Sequence, residues 1–103
     1  MKTYDIWYEF SNGSIYTDIP FRKAKRHFAK LIRSCTKKSD ILDFRFFRIK
    51  EKDNDAFATF IPSQGTMPDI QNIKNQTSRN AIEKMFKSGK SYLDNLKNSD
   101  FIS

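Results

Sequence analysis

The sequence predicts an α+β fold: an antiparallel β-sheet from two hairpins, in ββαββα order, with a basic amphipathic helix between the hairpins and a C-terminal helix packed on the sheet. Three patterns predict it. Tyr4, Ile6, Tyr8 and Phe10 alternate with Asp5, Trp7 and Glu9 at the two-residue period of a strand. Phe21, Ala24, Phe28, Leu31, Ile32 and Cys35 recur at helical spacing, as do Ala81, Ile82, Met85, Phe86, Gly89, Leu93 and Leu96. With 103 residues, 38% of them hydrophobic, the chain can bury about 65% of its extended surface, enough for one core. We read residues 1–97 as one domain and 98–103 as a frayed tail.

The first strand ends at Ser11-Asn12-Gly13-Ser14, where Asn-Gly suits a tight type I′ turn. With Asn12 and Gly13 as the turn, Phe10 pairs with Ile15, Tyr8 with Thr17 and Trp7 with Asp18. That register places Tyr8, Phe10 and Ile15 on one face, Trp7 and Tyr16 on the other, and gives a short second strand from Ile15 to Asp18. Asp18 is then a helix cap, Pro20 falls in the first turn, and the helix runs to about Thr36. Ile41 to Lys50 and Ala56 to Ile61 read as the second hairpin around the polar turn Glu51 to Asp55. Pairing Ile49 with Phe57 puts Phe47, Ile49, Phe57 and Ile61 on one face, and Phe44, Phe46 and Phe60 on the other. Two apolar faces predict cover on both sides and, where the last helix covers only one, self-association into a homodimer. Pro62 to Thr77 reads as a loop with one helical turn, and Thr77 or Ser78 caps a final helix to about Leu96.

The formal net charge is +7. Arg22, Lys23, Lys25, Arg26, Lys30, Arg33, Lys37 and Lys38 fall in one stretch without a single acid, so the remainder of the chain sums to −1. On a helical wheel these cations lie opposite the apolar stripe or on its flank. Arg22 with Arg26, Arg26 with Lys30 and Arg33 with Lys37 are like charges four residues apart, each pair unfavourable by about 0.2–0.5 kcal/mol. An anionic partner offsets that repulsion. DNA or RNA phosphates are one such partner and an acidic protein surface is another. Arg45 and Arg48 are further candidate contacts from the third strand, and Trp7 and Tyr16 are candidate aromatic contacts on an exposed sheet face. A core role is favoured for the strand phenylalanines, because the C-terminal stripe is long enough to cover them.

Other chemistries find little support. His27, the only histidine, lies at the border of the basic and apolar sides; a small basic ribonuclease would use it as general base. Cys35, the only cysteine, sits mid-stripe and reads as core, which suits a reducing, cytoplasmic setting. Ser88-Gly89-Lys90-Ser91 lacks the first glycine of a phosphate-binding loop, since Lys84 stands there, and lies within a helix. Asp53-Asn54-Asp55 lacks the distal glutamate of a calcium loop. The reading therefore includes no metal, no cofactor and no catalysis. No apolar run approaches the ~18 residues of a membrane span, and the N-terminus shows no apolar signal region, which argues against membrane or secretory placement. The absence of valine and the abundance of Lys, Asn and Ile resemble accessory proteins of AT-rich phages and mobile elements. The expectation is a nucleic-acid-binding accessory protein. The alternatives are an inhibitor or adaptor docking its basic ridge on an acidic host surface, and the ribonuclease.

Overall fold

The computed structural model describes residues 2–10, 12–52, 56–64, 70 and 73–98, with backbone alone at 12–14. The elements are β1 (Thr3–Phe10), β2 (Asn12–Pro20), α1 (Phe21–Ser34), α2 (Lys38–Asp43), β3 (Phe44–Glu51), β4 (Phe57–Phe60), a 3-10 turn at Pro62–Gln64, and α3 (Gln76–Lys97). The strands form one antiparallel sheet in the order β2-β1-β3-β4. The predicted α+β architecture holds, with one helix more than expected. Gly65, Pro68, the turn residues Asp53 to Asp55 and the tail beyond Asn98 lie outside the described residues.

The first hairpin departs from its predicted register. Phe10 pairs with Asn12, Tyr8 with Ser14, Trp7 with Ile15 and Ile6 with Tyr16, three residues away from the Asn-Gly turn register. Because side chains alternate, an odd shift exchanges faces. Tyr16 therefore joins Ile6 and Tyr8 on the helix side, while Ile15, 65% exposed, joins Trp7 on the other. Between Tyr4 and Ile6 the pairing steps from Ile19 to Tyr16. Asp18 occupies this irregularity at φ 60°, and its amide donates to the Asp5 carboxylate at 2.9 Å. Asp18 is thus a bulge residue in the left-handed region that Asp tolerates, and not the helix cap; the extra residue turns Ile19 toward the core. Pro20 precedes α1, which has no side-chain cap.

The strand predicted from Ile41 begins only at Phe44, because Lys38–Asp43 forms α2. Asp40 stabilises its start: its carboxylate accepts from the Thr36 and Lys37 amides at 3.0 and 3.2 Å and from the Thr36 hydroxyl at 3.1 Å. Six residues are too few for an apolar period to show. Glu9 pairs with Phe46 but Phe10 with Phe44, so Arg45 is an extra residue on β3 and Phe44 turns into the core. On the far side Ile49 pairs with Ala58 and Phe47 with Phe60, one residue from the predicted alignment. Phe47, Ile49, Ala58 and Phe60 are buried together, whereas Phe57 moves to the opposite face and is 40% exposed.

All three helices cover the same face. Phe28 of α1 meets Phe47, Phe60 and Phe86 at ring-centroid distances of 5.0, 5.2 and 5.5 Å. Ala24, Leu31, Ile32 and Cys35 complete the predicted α1 stripe, and Ile82, Met85, Phe86, Gly89 and Leu93 that of α3. Asn75 is the α3 cap, accepting from the Ser78 amide at 3.0 Å. The predicted cap Ser78 is instead buried, its hydroxyl 3.1 Å from that of Tyr4. Burial, then Asp40 nearby, pushes the Cys35 thiol up to about 12, so it packs as an inert apolar group.

Candidate functional site

The buried stripe of α1 leaves Arg22, Lys23, Lys25, Arg26, Lys30 and Arg33 exposed along its outer side. None of them pairs with a carboxylate among the described residues. Five described acids serve other cations: Glu51 holds Lys2, Glu9 holds Arg45 and Asp18 holds Lys52 at 3.0–3.1 Å, while Glu83 and Asp94 hold Lys87 and Lys90 on α3. The α1 cations are therefore uncompensated among the described residues.

The ridge has two edges. Lys23, Arg26 and Lys30, at positions i, i+3 and i+7, overhang the first hairpin and enclose with Tyr8, Tyr16, His27 and Ser34 a cleft of about 520 Å³. Lys25 and Arg33 border the groove between α1 and α3, beside Ser88 and Tyr92. Lys37 and Lys38 are exposed where α2 begins, and Lys38 borders a separate depression with Leu42 and Lys97. Arg45 is bound to Glu9. Arg48 is half-buried on the face of the sheet away from the helices, and Trp7 shares that face. The ten predicted cations thus do not form one surface, and Trp7 and Tyr16, placed together by the predicted register, lie on opposite faces.

The cleft gathers groups that sequence spacing could not unite. Tyr16 lies against His27 with ring centroids 4.3 Å apart, and Tyr8 stacks on Tyr16 at 6.0 Å with their hydroxyls 3.5 Å apart. Lys23, Arg26, His27 and Lys30 were legible as one helical edge; Tyr8 and Tyr16 reach it only through the hairpin register. Ammonium, guanidinium, phenol and imidazole donors line the cleft, and no carboxylate among the described residues does. Such a set takes an anion, and a phosphodiester matches it in charge and hydrogen-bond polarity.

Partial burial, then the positive charges of Lys30 and Lys23, lowers the His27 pKa below its ordinary 6.5, so the ring is neutral at pH 7. As pH falls through 6.5 the unfolded chain takes up this proton first. Stability is thus full above 6.5 and is lost down to the folded-state value. Urea unfolding on either side of pH 6.5 is expected to show this loss, and His27→Gln to remove it; a stability unchanged across that range would contradict the assignment. Asp40 acts in a lower window: hydrogen bonds, the Thr36 amide's first, depress its pKa below 3.8, so its contribution is lost as pH falls below 3.8.

The fold and site define a small α+β protein with helices on one sheet face, an unpaired basic helix edge over a tyrosine-histidine cleft, and the other sheet face open among the described residues. Comparison with protein-family models, curated proteins and solved structures found no match. No described helix is long and apolar enough to cross a membrane.

Proposed function

We propose that this chain is a non-catalytic nucleic-acid-binding protein that holds backbone phosphates on the outer side of α1, with the Lys23–Arg26–Lys30 cleft at its centre. The carrying observation is that the six α1 cations are exposed and have no carboxylate partner among the described residues, while Glu9, Asp18, Glu51, Glu83 and Asp94 engage cations elsewhere. Arg22 and Arg33 extend the track along the helix, and Lys37 and Lys38 lie just beyond its end. A reducing, cytoplasmic setting and a phage or mobile-element accessory role fit the single buried thiol and the composition.

The test is binding to random-sequence duplex DNA, single-stranded DNA and RNA across a salt series. Five engaged duplex phosphates give a slope of log affinity against log salt of about −4.5. A slope near zero, or no binding to any of the three, overturns the reading and leaves the acidic protein surface as the partner of the ridge.

One observation favours a second reading. A neutral imidazole among cations is the state a general base for RNA cleavage requires. If the protein cleaves labelled RNA, His27→Ala is expected to abolish the cleavage; RNA left intact by the unaltered protein excludes this reading.

A further inference from the structure

The open face of the sheet carries a second set of groups, separated from α1 by the sheet itself. Trp7 on β1, Phe46 on β3 and Phe57 on β4 line a depression of about 320 Å³ together with Arg48 and Lys50. Register places them side by side, Trp7 opposite Arg48 and Phe57 opposite Lys50. The Arg48 guanidinium carbon lies 5.1 Å from the Phe46 ring centre and 5.0 Å from that of Phe57, and the Lys50 ammonium 5.7 Å from the Trp7 ring. Neither cation pairs with a carboxylate among the described residues. No described helix packs on this face, so the fold itself does not call for three aromatic rings there.

We infer that this face is a binding surface for single-stranded nucleic acid, with unpaired bases stacking on Trp7, Phe46 and Phe57 and the connecting phosphates held by Arg48 and Lys50. Charge complementarity selects this occupant. A second copy offers the Arg48 and Lys50 of its partner little anionic surface, since the acids that share this face, Asp5 and Glu9, already hold the Asp18 amide and Arg45. A duplex presents phosphates, but its bases are already stacked and paired. A single strand supplies a π face for each ring and an anion for each cation, and β1, β3 and β4 are successive strands spaced about 5 Å apart, so the rings follow one another across the sheet. The inference is independent of the phosphate-binding role proposed for α1.

Trp7 is the only tryptophan, so its emission reports on this face alone. Titrating the intact protein with a short oligothymidylate is expected to quench Trp7, whereas an abasic oligomer of equal length and a duplex leave the emission unchanged. Phe57→Ala, at a 40% exposed position, retains the fold by circular dichroism and weakens oligothymidylate binding about fivefold to a hundredfold. Arg26→Glu with Lys30→Glu weakens duplex binding yet leaves the oligothymidylate quench, which separates the two surfaces. No quench, an equal quench by the abasic oligomer, or loss of the quench in the Arg26/Lys30 variant overturns the inference. A Trp7 signal that changes with protein concentration alone, alongside a dimeric mass, overturns it in favour of a second copy.

Discussion

Replacing Arg26 and Lys30 with glutamate is expected to weaken duplex binding about sixtyfold near 0.1 M salt and to reduce the salt slope from about −4.5 to about −2.7. Each phosphate contact contributes about 0.9 to the slope, hence about 0.9 decades of affinity at that salt, and the double change removes two contacts. Both side chains are exposed, line the same cleft and lack a carboxylate partner among the described residues, so their removal breaks no described ion pair. The variant is therefore expected to unfold at or slightly above the parent's urea midpoint, since Arg22 then faces an opposite charge four residues on. The formal net charge drops by four from +7, which by itself slows encounter with any polyanion. The decisive readout is sequence dependence: phosphate contacts position without specifying, so the loss should be equal for duplexes of unrelated sequence. A loss confined to one sequence, or a slope unchanged by the reversal, would contradict the assignment of these two residues to phosphates.

Phe28→Ala is expected to cost about 3–5 kcal/mol of stability, read as a shift in urea midpoint. That is a large share of the ~5–15 kcal/mol that holds a domain of this size. Phe28 is 3% exposed and is the one ring in edge-on contact with both Phe47 and Phe60 while also meeting Phe86. It thus joins α1, the sheet and α3. Gly89 on α3 allows the approach, since a Cβ there would sit 2.6 Å from Cε2 and Cζ of Phe28. Gly89→Ala alone gains about 1 kcal/mol of helix propensity but loses about 1–3 kcal/mol to overpacking, a net loss. In the Phe28→Ala background the new methyl enters vacated space, and the same substitution should become stabilising. Additive costs in the double variant would show that the two residues do not share this space.

The α1 cleft was half legible. Lys23, Arg26, His27 and Lys30 fall on one helical edge by spacing alone, and their charge needs no tertiary information. Asn12-Gly13 is a strong local turn signal, and the register it predicts puts Tyr16 on the open face. The first hairpin instead pairs three residues away in register with Asp18 as its bulge residue, and Arg45 is an extra residue where β3 pairs with β1; together these bury Tyr4, Ile6 and Phe44 and pack the half-buried Ile19 on one face. The first-hairpin register places Tyr16 beneath α1, and a separate one-residue shift between β3 and β4 turns Phe57 out and Phe60 in. The expected second apolar face carries Trp7, Phe46 and Phe57 interleaved with Arg48 and Lys50.

The α1 and α3 helices, their buried stripes, the core position of Cys35 and the acid-free run of cations on α1 are legible from residue spacing alone. A helix places residues by its own internal hydrogen bonds, so a 3.6-residue period and a run of cations read directly as faces. Which strand residues look inward, the helical state of Lys38–Asp43 and the closing of the cleft by Tyr8 and Tyr16 depend on long-range pairing and packing. A strand has no internal hydrogen bonds to fix its alignment; its partner supplies them, and one residue of slip or one bulge exchanges the two faces of the sheet.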